Sequence, residues 1–366
     1  MKKVILHIGM PKTGTSALQI FFLKNKGVFE KNDIGFFSPQ KYKEIRDCIA
    51  NGSFLRRYAQ MLAPEKGNAK KEHINPMRHE VDKENTLSRV AEFSSYADAY
   101  QTIILSEELI WWGCFFYEDW CEIIQKCIQD LCGDVIIQPL IYLRRQDTWS
   151  FSWWKEYLRL FTGMHEEIFP KFLSWIEELG VLDYNNWLLQ MEDVFGIDNI
   201  ILRTYEEAIS DREAIFRDFV SALNLDWQDD FNTSKKLINP SLSLMTDYAL
   251  LKILGGDVPY VMRDAEDRTL LRRGCRLFSV AHKEKKPCYP LPLTERTALI
   301  ERYKGCNKAI SERYERGGTL FSYDIEPYEI LTEDRERDIE NAKEIIELTK
   351  IPHSAYQWLD KHSDNF

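Results

Sequence analysis

No apolar run in this chain approaches the roughly 18 residues that a spanning helix needs, and no two of its eight cysteines form a C-x-x-C pair. The first lack argues against a membrane span. The second weakens a zinc reading. Nothing in the cysteine spacing resembles a small disulfide scaffold, so free thiols in a reducing compartment are expected. A basic surplus is missing too: the net charge is −10 and the pI about 5.4. That argues against a general nucleic-acid binder, while leaving room for a local basic pocket around one anionic ligand. The short basic patches, LRRGCR at 271–276 and HKEKK at 282–286, read as solvated helix faces or loops. The opening MKKVILHIGMPKTG makes a poor secretory signal. Its apolar stretch is short, carries a histidine and runs into Pro-Lys with no small-residue cleavage site. Internal repeats are also absent. The expectation is a soluble, cytoplasmic protein.

The 366 residues are 44% hydrophobic and 29% charged, an ordinary globular balance in a chain long enough to bury a core without staples. VILHI at 4–8, TIILS at 102–106, VIIQPLIYL at 135–143 and NIILRTY at 199–205 are short, apolar and β-rich, as buried parallel strands are. GFF at 35–37 is a plausible further strand, and Pro139 suggests an irregularity in the fourth run. Between them, SALQIFFLKN, 115–132, 149–161 and 171–195 carry helical patterns. Residues 63–86 are polar, with two prolines, and read as a surface loop or insertion (about 63–90 at its widest). From about 210 to 350 the pattern is mostly helical, with Pro/Gly breaks near 239–240, 255–259 and 287–292. Alternating strands and helices predict an α/β fold, a parallel sheet flanked by helices. In such sheets ligands bind at the carboxyl ends of the strands. The expected organisation is one domain over 1–330, including a helical part at about 210–330, and a helical tail over 331–366.

GMPKTGTS at 9–16 follows the first strand and opens a helix. Gly9, Gly14 and Ser16 match the pattern G-x-x-x-x-G-K-[ST], but Thr15 occupies the lysine position and a lysine stands earlier, at Lys12. The glycines and the helix start present backbone N–H groups to a phosphate. A lysine on the loop itself could reach a bridging oxygen between phosphate and a transferred group. A terminal sulfate carries one negative charge, less than a terminal γ-phosphate. By analogy with phosphoryl transfer, positioning and charge stabilisation would dominate, and such a lysine could replace much of what magnesium does.

At these residues the sequence resembles the sulfotransferases that use 3′-phosphoadenosine 5′-phosphosulfate (PAPS), whose 5′-phosphosulfate loop reads P-K-[TS]-G-[TS]-[TS]. The resemblance implies a P-loop NTPase-like sulfotransferase fold with a helical C-terminal region. It assigns Lys12 to the phosphosulfate and its bridging oxygen, and Thr13, Gly14, Thr15 and Ser16 to the 5′-phosphate. PAPS would be the donor, with no metal required. The family's second signature binds the 3′-phosphate with a strand-end Arg and a Ser eight positions on. IYLRRQDTWSFS supplies Arg144 and Ser152, with Arg145 able to exchange roles with its neighbour. Arg suits the task through its planar fork of donors. NPSLS at 239–243 resembles a segment of bacterial members, although Asn239 and Ser241 could equally cap a helix. The likeness covers most of residues 4–245.

Transfer to a hydroxyl needs a proton acceptor. Glu107, directly after the TIILS strand, is the first candidate and Glu108 the next. Trp111 and Trp112 could partly desolvate Glu107. The alternative is that either glutamate caps the next helix or pairs with an Arg or Lys. His73 and His79 are weaker candidates, and His7 reads as packed inside the first strand. A cluster of tryptophans (Trp111, Trp112, Trp149, Trp153, Trp154 and Trp175) makes a carbohydrate acceptor plausible, core packing being the other reading. The partners expected are PAPS and an acceptor carrying a hydroxyl or amine, with no nucleic acid. Two other classes stay open: a P-loop kinase or related phosphotransferase, which would want Lys at 15 and a strand-end Asp for magnesium, and a non-catalytic nucleotide- or glycan-binding module, which would have lost Lys12 or Arg144.

Overall fold

The computed structural model describes residues 1–38, 50–64, 81–159, 168–209, 211, 213–233, 242–254, 257–258, 265–282 and 287–350. The chain divides into two compact units. The first comprises Met1–Trp149, Ile176–Ile238 and Ile300–Ser322, and the second Ser150–Trp175, Asn239–Leu299 and Tyr323–Phe366.

The first unit holds the sheet. Its strands are β1 (Lys3–His7), β2 (Ile34–Phe36), β3 (Thr102–Ser106), β4 (Ile136–Leu143) and β5 (Ile201–Thr204), all parallel, in the order β2-β3-β1-β4-β5. The α/β reading holds, and each expected strand lies within two residues of its place. One face carries Ile5, Ile104, Leu140 and Tyr142, packed on Phe21 and Phe22 of α1 (Thr15–Lys24), Phe29 of α2 (Lys26–Lys31) and Phe216 and Phe219 of a later helix, Ala214–Ala222. Side chains alternate along a strand, so Val4 and Leu6 point to the opposite face. Ile8, in phase with them, meets Ile110, Trp120, Ile124 and Met191 there. Burial on both faces explains why these strands read as unbroken apolar runs.

Pro139 makes no irregularity. The Leu140 carbonyl accepts from the Ile8 amide at 3.0 Å, so its neighbour Pro139 directs its nitrogen to the other side. Pairing with β5 begins there only at Leu140, and no ladder bond is lost.

Helices differ from expectation in three places. Residues 65–80 lie outside the described residues, but the polar stretch ends earlier than read: a helix, Lys83–Ala97, begins with its Asn85 amide bonded to the Asp82 side chain at 3.0 Å, an N-cap. The single helix expected over 115–132 is two, Ile110–Phe116 and Trp120–Cys132, parted by Asp119 in a left-handed conformation (φ 48°). The segment 171–195 is likewise two, Phe169–Glu178 and Tyr184–Phe195, with Gly180 at φ 74° between them.

The second unit contains Leu244–Leu254, Ala265–Ala281 and Arg335–Thr349, the last packed against the other two. Of the described residues after 330, Arg335–Thr349 are helical. Near the 287–292 break lies a two-stranded parallel sheet, Cys288–Tyr289 with Glu329–Ile330, which the sequence did not suggest.

Candidate functional site

β1 stands between β3 and β4. Strands added on either side of it make its carboxyl end the crevice of the sheet. The Gly9–Gly14 loop lies there and enters α1 through Gly14, at φ 83°. A Cβ on Gly14 would come within 2.4 Å of Ile215 Cδ1, and one on Gly9 within 2.2 Å of Thr15 Oγ1. Both positions therefore need glycine. Lys12 also takes a left-handed conformation, φ 68°, which is uncommon for a residue with a Cβ.

Three successive loop carbonyls are held by side chains. Thr13 Oγ1 donates to Met10 O at 2.6 Å, Trp149 Nε1 to Pro11 O at 2.8 Å and Arg144 Nη1 to Lys12 O at 2.8 Å. The first helical bonds in α1 start from the amides of Ala17 and Leu18, both to Gly14 O. The amides of Thr15 and Ser16 thus have no intrahelical partner. Thr15 Oγ1 is buried without a hydrogen bond, and Ser16 is exposed. Orphaned amides, a buried hydroxyl and a helix start suit an anion.

Arg144 follows β4. Its Nε bonds Thr148 Oγ1 at 3.3 Å, its guanidinium lies 5.0 Å from the Tyr205 ring centroid, and its carbonyl accepts from Tyr184 Oη at 2.8 Å. Lys12 and Arg144, 132 residues apart, are therefore neighbours. Arg145 cannot exchange with it. Its Nε and Nη2 grip both Asp147 oxygens at 2.7 and 3.1 Å, and Nη1 donates to Ser322 O at 2.8 Å. Breaking such a buried pair costs about 3–5 kcal/mol. Ser152 lies in the helix Gln146–Arg159 and belongs to the second unit.

Glu107 sits one residue beyond β3, where its amide donates to His7 O at 3.2 Å. It therefore lies at the same sheet edge as the loop. It is 3% exposed. Oε1 accepts the Leu109 amide at 3.0 Å, and Oε2 lies 3.9 Å from Arg56 Nε. The structural alternatives, a local cap and an ion pair, are thus both present. Arg56 comes from the helix Ser53–Leu62. That helix is brought here by Asn51, which bonds Ile104 O and the Ser106 amide at the end of β3. Burial lowers the Arg56 guanidinium from its usual range, and the Glu107 carboxylate opposes this. Nothing in the sequence singled out Asn51, Arg56 or the carbonyl contact of Trp149.

Most of the tryptophans cannot stack on a ligand. Trp111, Trp112, Trp149, Trp153 and Trp154 are all buried. Of that sequence cluster Trp175 alone is half-buried, with Lys171 Nζ 5.7 Å from its ring. His73, His79, Asn239 and Ser241 lie outside the described residues. Among the described residues no cluster of His, Cys, Asp and Glu is arranged to hold a metal, and no helix is long and apolar enough to cross a membrane.

His7 is fully buried beneath the loop. Its Nδ1 lies 2.8 Å from Ser106 Oγ, which also accepts from Gln19 Nε2 at 3.0 Å. Burial pushes its pKa down to about 3. A depressed histidine favours folding fully above its unfolded pKa of about 6.5, and that contribution is lost as pH falls from there toward 3. Acidification from pH 7 to 5 is expected to remove about 2 kcal/mol through this residue alone. In His7→Asn, denaturant titrations at the two pH values should show that part of the slope gone.

These features define a class: an α/β protein with a glycine loop at the carboxyl edge of a parallel sheet, its Lys12 carbonyl bonded by the arginine that follows β4. No protein-family model and no curated protein matches the chain. Among solved structures it is similar to a sulfotransferase from Alicyclobacillus acidocaldarius. The identity is 17%, the match covers 69% of this chain and 94% of that one, and the TM-score is 0.40.

Proposed function

We propose that the protein is a sulfotransferase that moves a sulfuryl group from PAPS to a hydroxyl or amine of an acceptor, with a carbohydrate or glycolipid as the first choice. The observation that carries the reading is the Arg144–Lys12 contact of 2.8 Å. It sets Arg144 against the backbone of the loop that carries Lys12, and the sequence motifs assign these two residues to opposite ends of one nucleotide. In this reading the backbone amides of Thr13, Gly14, Thr15 and Ser16, with the hydroxyls of Thr15 and Ser16, hold the 5′-phosphate, and Arg144 holds the 3′-phosphate. The acceptor oxygen attacks sulfur in line. The bond from sulfur to the bridging oxygen breaks, Lys12 stabilises the charge left on that oxygen, and Glu107 takes the acceptor proton. The products are a sulfate ester and adenosine 3′,5′-bisphosphate. No step requires a metal.

The test is an acceptor screen with radiolabelled PAPS over sugars, phenols, lipids and amines, run with and without a magnesium chelator. Transfer of label unaffected by chelation is expected. Labelled phosphate moving from ATP instead, and only with magnesium, would point to a kinase.

A further inference from the structure

The loop that would hold the 5′ end of the nucleotide is braced from outside itself. We infer that Arg144 and Trp149 are positioning residues for the Gly9–Gly14 loop, so that the side chain assigned to the 3′-phosphate also sets the grip on the 5′-phosphate. The inference rests on the functional reading above and deepens it.

Each carbonyl from Met10 to Lys12 has one side-chain donor, at 2.6, 2.8 and 2.8 Å. The first donor, Thr13, is internal to the loop. The other two come from the segment that follows β4, more than 130 residues later in the chain. A peptide unit directs its carbonyl and the next amide in opposite directions. Holding the carbonyls of Pro11 and Lys12 on the β4 side therefore turns the amides of Lys12 and Thr13 away from it. The Lys12 conformation, φ 68°, is one that an ordinary residue keeps only where its surroundings hold it. Trp149 is fully buried, and its Nε1 reaches only as far as the fixed ring allows. Arg144 is confined between the Tyr205 ring and Thr148 Oγ1. Both donors are thus themselves rigid, as a brace must be.

A guanidinium carries five N–H groups. Nη1 of Arg144 holds the loop and Nε bonds Thr148, so the remaining donors are the ones that would meet a phosphate. One planar group then bonds the loop and the distal anion together. A lysine carries a point charge on a flexible stem and lacks that fixed planar fork.

The experiment separates the two tasks with two nucleotides. Adenosine 3′,5′-bisphosphate has both phosphates, and adenosine 5′-monophosphate lacks the one that Arg144 would bind directly. Both are titrated calorimetrically into wild type, Arg144→Ala and Trp149→Phe, with circular dichroism confirming the fold. Trp149→Phe keeps an aromatic ring and deletes the N–H, so it carries the test should Arg144→Ala unfold. Arg144→Ala is expected to bind the monophosphate about tenfold more weakly than wild type, and Trp149→Phe about fivefold. If Arg144→Ala, folded, loses affinity for the bisphosphate alone, or Trp149→Phe binds the monophosphate as wild type does, the brace is refuted while the functional reading stands. Should wild type bind neither nucleotide, the functional reading fails and this inference with it.

Discussion

Replacing Lys12 with alanine is expected to lower turnover with PAPS by about a thousandfold, the scale seen when one donor to a developing negative charge is deleted. Affinity for adenosine 3′,5′-bisphosphate should fall at least about tenfold, since a charge-assisted bond to the 5′-phosphate is lost. The backbone at this position sharpens the prediction. Lys12 is held at φ 68°, a conformation that costs a residue with a Cβ about 1–2 kcal/mol and that asparagine tolerates best among such residues. Were the position merely a turn, asparagine or glycine would serve it better. Lys12→Asn is therefore expected to melt no lower than wild type while losing turnover as severely as the alanine variant. Stability kept and activity lost would identify the ammonium group as the reason for the strained residue. Unchanged nucleotide affinity in either variant would remove Lys12 from the site.

The part of this arrangement that lies along the chain could be read from it. VILHI followed by GMPKTGTS is a strand, a loop and a helix start in immediate succession, and only local rules are needed to see it. The apolar run before Arg144 showed only that it stands at a strand end, and its assignment came from the resemblance to the family's second signature. Side-chain contacts between distant segments were not legible. The bond from Trp149 to Pro11 O spans 138 residues. Composition flagged that tryptophan only as an aromatic, leaving a sugar surface and core packing both open, and most of the described tryptophan rings are core. Arg56 gave no signal, because it meets Glu107 only after Asn51 has docked its segment on the end of β3. The break at Asp119 was hidden by an apolar pattern that runs through it. There Trp120 folds back so that its Nε1 bonds Ile110 O at 2.7 Å, over Gly113, where a Cβ would lie 1.9 Å from the Trp120 ring. The strand pair of Cys288 and Glu329 joins two-residue segments, too short to show any period.

Glu107 carries the other large expectation, and here the two roles it could play predict different things. As the base, it is needed for turnover but not for the nucleotide. Glu107→Gln should then lower kcat by about a hundredfold to ten-thousandfold and leave the affinity for adenosine 3′,5′-bisphosphate unchanged. As a structural group, it caps the Leu109 amide and faces the buried Arg56, and the same substitution should act on stability. The glutamine oxygen can still accept from Leu109, but the Arg56 charge loses its counterion, at a cost of up to about 3–5 kcal/mol for a fully buried pair. At 3.9 Å the pair is not closely bonded, so the smaller figure is expected. Both effects can coexist in the single variant, so the double variant Arg56→Gln with Glu107→Gln separates them. Removing both charges relieves the unpaired cation, and stability in urea should return toward wild type. If turnover stays lost while stability recovers, the carboxylate is acting on the acceptor. If turnover returns with stability, Glu107 is a cap and an ion-pair partner, and the proton acceptor lies elsewhere.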